Sequence, residues 1–182
     1  MVDLGTWDRG LDYEQTRLML IREIAWARHR AKHDKRARRR LAGLCVLLTQ
    51  LDNAARISEA HEAVSIFART GQREVEVRVR KQRKDPEKRL VVIPPEVRPE
   101  DVRELPSLDA CRMYAFRLGI NTHSLRYARI TDLALKKVQP QIIARITHHR
   151  KLDMLIRYTQ EVAARELLRR EIMHRKIREA GL

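Results

Sequence analysis

Six side chains in this sequence have the chemistry that cutting and rejoining a phosphodiester requires. In chain order they are Arg56, Lys81, His123, Arg126, His149 and Tyr158. Two guanidinium groups can hold the non-bridging oxygens of one phosphate and stabilise a five-coordinate phosphorus. A lysine can protonate a departing sugar oxygen, and a histidine can bind the phosphate or accept a tyrosine proton. A tyrosine hydroxyl can attack phosphorus, and the resulting ester conserves the bond energy without ATP or a metal.

Each of these residues also has an ordinary structural explanation. Arg56 can be a solvated charge or the partner of nearby Glu59. Lys81, and Lys84 as its alternative, lie on or beside a predicted hairpin, where lysines commonly protect a strand edge. The histidines and the tyrosine can be buried residues with satisfied hydrogen bonds. The chemical interpretation therefore depends on all six types occurring together, in this order.

Net charge narrows the choice of partner. The chain has 39 Lys and Arg against 24 Asp and Glu, a formal charge of +15, which favours a polyanion and above all nucleic acid. Aromatic residues make up 4% of the chain, too few for stacking single-stranded bases, so contacts to duplex phosphates fit better. A merely basic, arginine-rich thermophile protein is the alternative.

A dense basic cluster, RHRAKHDKRARRR at 28–40, is the predicted place for these contacts, because it leads into the helix before Arg56. The arginines expected to touch the DNA backbone are Arg36, Arg38, Arg39 and Arg40. Lys84 is expected to contact DNA as well if it is not the catalytic lysine. A charged helix–loop surface without a ligand is the alternative explanation.

Several protein classes are excluded by simple features. No apolar run approaches the roughly 18–20 residues of a membrane span, and the N-terminus MVDLGTWDRG lacks the apolar core of a secretory signal. Two cysteines, Cys45 and Cys111, do not make a disulfide framework, and Cys45 is expected to be a small buried hydrophobic residue. We therefore expect a soluble, cytoplasmic, DNA-associated protein with no membrane partner.

The elements that must position these residues follow from hydrophobic periodicity. A first helix is expected over 12–31, with Asp12 as its N-cap. One stripe of that helix is expected to consist of Leu18, Ile21, Ala25 and Arg28. Two more helices, over 36–51 and 58–68, are expected on either side of Arg56.

Alternation with period two predicts a β-hairpin after residue 71. Val75, Val77 and Val79 alternate with charged residues, a turn follows at 84–87, and the apolar run LVVIP ends in Pro-Pro. The later predicted helices cover 100–105, 107–118, 123–137, 139–147, 151–158 and 161–179. The sequence thus predicts an α+β fold, mainly α-helical, with a small antiparallel β-sheet.

Four segments resemble motifs of the tyrosine recombinase, or phage integrase, family. AARISEA around Arg56 is similar to the family's first box, Gly-Leu-Arg-x-Ser-Glu, with Ala54-Ala55 in place of Gly-Leu. RVRKQRK resembles the hairpin segment that carries the family's catalytic lysine. The resemblance favours Lys81, which follows the V-x-V strand directly, over Lys84.

The other two segments lie in the second half of the chain. HSLR, which ends in Arg126, fits the box His-x-Leu-Arg, and Tyr127 follows where a His is frequent. ITHHRKLDMLIRYTQ resembles the last box, Leu-Gly-His followed nine residues later by Tyr. His149 and Tyr158 fit that spacing, whereas His148 replaces the Gly and could itself fill the histidine role.

The resemblance implies a site-specific DNA recombinase or integrase that works through a covalent 3′-phosphotyrosine intermediate. The six residues are then catalytic, no cofactor or metal is implied, and the partners are duplex DNA and further copies of the chain, as a tetramer on DNA. Only about 55 residues precede Arg56, so 1–182 is expected to be a single catalytic domain with a helical tail at 161–182 and without the family's separate N-terminal DNA-binding domain. Both a fragment of a longer integrase and a naturally short one fit this expectation.

Two other functions fit the same residues. One is a basic DNA-binding module, an inactive relative of the recombinases, and the other is a nicking-closing enzyme similar to type IB topoisomerases. In the family, a terminal segment often docks on a neighbouring protomer, and Val162, Leu167, Leu168 and Ile172 could form one apolar stripe for that purpose. A helix that folds back onto its own domain is the alternative.

Overall fold

The computed structural model describes residues 10–79, 87–149 and 152–179, which are mainly helical with one two-stranded antiparallel sheet. The helices are α1 (Tyr13–Ala31), α2 (Lys35–Asp52), α3 (Ile57–Thr70), α4 (Leu108–Arg117), α5 (Thr122–Leu135), α6 (Pro140–Thr147) and α7 (Leu152–Glu179). The strands are β1 (Glu74–Arg78) and β2 (Lys88–Val92), and a 3-10 helix covers Pro99–Val102. The predicted α+β, mainly helical class is confirmed.

The contacts divide the chain into two compact units, Met1–Arg129 and Ile130–Leu182. In the first unit, α2 is the central element. Its residues 41–51 are all buried, and it packs against α1, α3, α4 and the 3-10 helix. Gly43 is required on this helix, because a Cβ there would lie 2.5 Å from the Tyr114 ring. Cys45 is fully buried, as predicted.

Helix α1 begins where the sequence predicts but buries a different face. The Asp12 side chain accepts a hydrogen bond from the Gln15 backbone N–H at 2.8 Å and caps the helix. The predicted stripe is wrong, because Leu18 is 49% exposed and Ala25 is also exposed. The buried face consists of Tyr13, Thr16, Leu20, Ile24, Ala27 and Ala31. Apolar residues occur on several sides of α1, so only packing against α2 selects the buried one.

The hairpin packs one face inward. Strands β1 and β2 pair so that Val75 lies opposite Val91 and Val77 opposite Arg89. The three valines that alternate with charged residues in the first predicted strand, Val75, Val77 and Val79, are buried. The turn predicted at 84–87 lies mostly outside the described residues. At the outer edge of β2, the Asn53 side-chain amide bonds both the N–H and the C=O of Val92, at 2.9 and 2.8 Å.

In the second unit, a single long helix replaces two predicted ones. Helices were expected over 151–158 and 161–179, whereas α7 runs without interruption over Leu152–Glu179. No Gly or Pro separates the two predicted segments, so the helix has no reason to stop between them. Whether the whole chain is one catalytic domain stays a prediction. Among the described residues, no helix combines the length and hydropathy that crossing a bilayer requires.

Candidate phosphate-binding site

The junction between α2 and α3 positions Arg56. Arg56 is the N-cap residue of α3, and its extended backbone turns the chain out of the α2 end. Its backbone N–H donates to Glu59 Oε2 at 3.0 Å, and its Nη1 donates to Glu59 Oε1 at 2.8 Å. The Arg56 side chain keeps 27% of its surface exposed. The Glu59 carboxylate therefore holds both the backbone N–H and the guanidinium group of Arg56, while part of the guanidinium still reaches solvent.

Glu59 is shared with a second arginine that the sequence analysis missed. Arg89 on β2 donates from Nη1 to Glu59 Oε2 at 3.1 Å and from Nη2 to the Asn53 carbonyl at 2.7 Å. The side chains of Arg89 and Glu59 are 1% and 0% exposed. The signal that could have found Arg89 is the alternation of inward and outward residues along β2. Arg89 lies two positions before the buried Val91 and four before the buried Ile93, so it shares their inward face.

Arg126 joins this group from α5. It is 5% exposed, and its Nη1 donates to the Ala54 carbonyl at 2.9 Å, two residues before Arg56. Its charge interacts with those of Arg56, Arg89 and Glu59. We call these four residues the arginine cluster. The two arginines that the sequence pairs on one phosphate are thus brought together, within the first compact unit.

Burial and neighbouring positive charge both act against the charged form of the arginines in this cluster. Burial, followed by the nearby charges of Arg56 and Arg89, lowers the pKa of Arg126 to about 10, and the charge of Glu59 offsets only part of this effect. Burial also lowers the pKa of Arg89. Burial alone would raise the pKa of Glu59, but hydrogen bonds from Arg56 and the charge of Arg89 lower it overall. An anion bound here would stabilise the arginine charges.

The acceptor for Arg126 lies in a strained turn. Ala54 has φ of 46°, the left-handed conformation that favours glycine. The Ala54 N–H donates to the Leu51 carbonyl and the Ala55 N–H to the Gln50 carbonyl, at 3.1 and 3.0 Å, which closes the end of α2. This turn points the Ala54 carbonyl at Arg126. Ala54 stands where the recombinase box that this segment resembles has a Gly.

His123 begins the helix that carries Arg126. Its backbone N–H donates to Asn121 Oδ1 at 2.9 Å in the first turn of α5, and its side chain is exposed. It lies three positions before Arg126, so both residues are on one side of the helix. Leu125 between them is fully buried and anchors the helix in the core.

In the second unit, His149 follows the end of α6. His148 takes the left-handed conformation, with φ of 51°, which is the conformation of a glycine at a helix end. Thr147 Oγ1 donates to the Ile143 carbonyl at 2.7 Å and lies 2.6 Å from His149 Nδ1. This contact at Nδ1 holds the His149 ring in one orientation beside the end of α6.

Three further predicted site residues lie wholly or partly outside the described part of the structure. Lys81 and Lys84 lie outside the described residues. Tyr158 lies on α7, in the second turn of that helix, but its side chain is also outside the described part of the structure. Their roles stay predictions. In the part of the chain that the structure describes, no group of three or more His, Cys, Asp and Glu side chains could hold a metal ion.

The four arginines predicted to touch DNA lie at the start of α2 in two environments. Arg38 donates to Glu104 Oε1 at 2.6 Å, and Arg40 donates to Glu23 Oε2 at 2.6 Å. Both are partly buried, whereas Arg36 and Arg39 are exposed.

Comparison with known proteins places the chain in an integrase-like family. A protein of the Acidianus two-tailed virus, named as a "putative integrase", is 35% identical over 176 residues, which cover 91% of this chain and 69% of the viral protein. An uncharacterized protein of Methanocaldococcus jannaschii is 32% identical over 91% of this chain and 88% of its own length. The chain belongs to the family of these two proteins. No protein-family model and no solved structure matches it.

Proposed function

We propose that this protein is a site-specific DNA recombinase or integrase of the tyrosine type, with the corresponding catalytic-domain fold. The observation that carries the proposal is the arginine cluster. Arg126 donates to the Ala54 carbonyl and its charge interacts with those of Arg56 and Glu59, although 70 positions of sequence separate the two arginines. The integrase name of the viral relative points the same way.

The cluster suits one phosphate in a strand of duplex DNA. Arg56 keeps an exposed part, and the lowered pKa of Arg126 means that a phosphate anion would improve the energy of its charge. Forked guanidinium bonds to the two non-bridging oxygens would strengthen as phosphorus becomes five-coordinate. His123, on the same side of α5 as Arg126, is proposed as a further phosphate ligand.

The proposed reaction exchanges one phosphate ester for another. The Tyr158 oxygen attacks phosphorus, a P–O bond to tyrosine forms, and the bond from phosphorus to the 5′ oxygen breaks. His149 accepts the tyrosine proton, and Lys81, with Lys84 as the alternative, gives a proton to the 5′ oxygen. The products are a 3′-phosphotyrosine and a free 5′-hydroxyl. Attack by a 5′-hydroxyl from another duplex reverses the steps and completes strand exchange.

Covalent capture tests this proposal. A duplex nicked on the 3′ side of the cut releases the short fragment that carries the new 5′-hydroxyl and so traps the enzyme, and the wild type should form an adduct at Tyr158. The variant Tyr158→Phe should bind the same duplex equally well and form no adduct. Binding without any wild-type adduct would identify a DNA-binding module instead. Supercoil relaxation without strand exchange would identify a topoisomerase-like enzyme.

Assembly on DNA is part of the proposal. Leu167, Leu168 and Ile172 on α7 are exposed by half or more, which suits contact with another copy in a tetramer. Deleting the chain from about residue 165 should weaken assembly on DNA, measured by sedimentation of the complex. A deletion variant that recombines normally would contradict this role of the tail.

A further inference from the structure

Two arginines share the Glu59 carboxylate from different surroundings. Arg56 Nη1 donates to Glu59 Oε1 at 2.8 Å, and Arg89 Nη1 donates to Oε2 at 3.1 Å. The Arg56 side chain is 27% exposed, whereas that of Arg89 is 1% exposed. An anion that arrives from solvent can therefore reach Arg56, while Arg89 is closed off from solvent and acts on Arg56 through the carboxylate between them.

A second contact fixes the position of the Arg89 charge. Arg89 Nη2 donates to the Asn53 carbonyl at 2.7 Å, where α2 ends, and the Asn53 side chain in turn bonds the backbone of Val92 on the same strand as Arg89. The guanidinium is thus held at two points, by α3 and by the end of α2. A cation held in this way stays beside Glu59 whether or not a ligand is bound to Arg56.

The charge of the arginine cluster depends on this residue. Its four members carry three positive charges and one negative charge, which sum to +2. Without Arg89 the sum would be +1, because Glu59 would offset one of the two remaining guanidinium groups. A phosphodiester carries one negative charge, and the five-coordinate phosphorus that forms when a tyrosinate attacks it carries two. With Arg89 the cluster therefore matches the charge of the transition state better than that of the ground state.

We propose that Arg89 is a positioning residue of the phosphate site, which neutralises Glu59 from inside the protein and so leaves the charge of Arg56 to the phosphate. The inference rests on the proposed function, because it takes a phosphate at Arg56 and Arg126 as its reference point. Glu59 would otherwise compete with the phosphate for Arg56. With Arg89 in place, the carboxylate holds Arg56 by hydrogen bonds and does not cancel its charge.

Three variants of the full chain separate charge from contact. Arg89→Met removes the charge, Arg89→Lys keeps it, and the double variant Arg89→Met, Glu59→Gln removes both partners and returns the sum to +2. Single-turnover cleavage of the nicked duplex is measured at a temperature at which circular dichroism shows every variant folded. Arg89→Met should cleave on the order of a hundredfold more slowly than the wild type. Arg89→Lys and the double variant should regain most of that loss.

Stability distinguishes this role from a merely structural one. A single ammonium group cannot replace the fork that reaches both Glu59 and the Asn53 carbonyl, so Arg89→Lys should unfold at a lower urea concentration than the wild type although its rate stays close. The control is Lys88→Met, which removes one charge from an exposed position on the same strand and should change the rate by less than about twofold. Rates that follow stability across the variants would overturn the inference.

Inorganic phosphate tests the same role without cleavage. Its binding is measured from the rise in unfolding temperature at constant ionic strength. Arg89→Met should bind phosphate on the order of tenfold more weakly than the wild type, whereas Arg89→Lys and Lys88→Met should bind it nearly as well. This pattern without any wild-type adduct contradicts the proposed cleavage but keeps the role of Arg89 at an anion site. Equal phosphate binding by Arg89→Met and Lys88→Met overturns the inference even where the wild type forms its adduct.

Discussion

Arginine occurs in opposite environments in two regions of the molecule, the arginine cluster and the start of α2. Arg89 and Arg126 are nearly fully buried, and their guanidinium groups bond Glu59 or backbone carbonyls. Arg36 and Arg39 are exposed. A buried arginine is held by specific acceptors, so its loss damages the structure, whereas an exposed arginine contributes charge and little else. The comparison teaches that the neighbours of an arginine, and not its residue type, decide whether it supports the fold or offers its charge to a partner.

Removing Arg89 should give the largest effect. Arg89→Met leaves Glu59 with less of its buried counter-charge and the Asn53 carbonyl without its donor, so the free energy of unfolding should fall by about 3 kcal/mol. Urea denaturation measures this. Its control is Lys88→Met on the same strand, because Lys88 is exposed and should change stability by less than about 0.5 kcal/mol. Equal stability of both variants would remove the distinction between the two regions.

Acid should weaken the arginine cluster through Glu59. Its pKa is lowered in the folded state, so its contribution to stability is complete above the ordinary value of 4.5 and is lost as the pH falls through the folded-state pKa. The wild type should therefore lose stability below about pH 4.5 more steeply than Glu59→Gln, which cannot titrate there. Denaturation at a series of pH values measures the two slopes. Parallel slopes would mean that Glu59 does not titrate as the cluster requires.

Relieving the turn before Arg56 should stabilise the protein slightly. Ala54→Gly removes the cost of a left-handed alanine, so the free energy of unfolding should rise by about 0.5–1 kcal/mol. Thermal unfolding measures the gain. Ala55→Gly is the matched control, since Ala55 is buried and has no positive φ, and it should destabilise. A loss of stability in Ala54→Gly would show that the left-handed conformation of Ala54 carries no strain.

The exposed arginines should give the smallest effect on folding. Arg36→Gln and Arg39→Gln should each change the free energy of unfolding by less than about 0.5 kcal/mol, because neither side chain is buried. The same urea titration that is applied to Arg89→Met measures them. A loss above about 1 kcal/mol would show that these arginines support the fold, as Arg38 and Arg40 do.

Where local signals in the sequence are strong, they predicted the helices and strands correctly. The cap at Asp12, the alternating valines of β1 and the Pro-rich end of β2 all define elements that the structure contains. The buried face of α1 could not be predicted, since apolar residues on several sides give two competing stripes. Only the contact with α2 decides between Leu18 and Leu20.

For the site, motif spacing predicted Arg56 and Arg126, and the structure brings them together. Arg89 was missed because a charged residue in a short strand is normally taken to face solvent. On β2 the expectation is reversed, since Leu90 is 53% exposed and Arg89 is buried. The carboxylate of Glu59, which comes from α3, and the Asn53 carbonyl accept hydrogen bonds from Arg89 and stabilise that arrangement.

The Asn53 amide has a consequence for the behaviour of the hairpin towards other chains. An unpaired strand edge is a template on which a further strand can add, and open edges of this kind favour aggregation. By bonding the N–H and C=O of Val92, the amide imitates one residue of a neighbouring strand. A foreign peptide would have to displace the Asn53 amide before pairing there, so this side chain protects that edge of the hairpin from pairing with another copy of the chain.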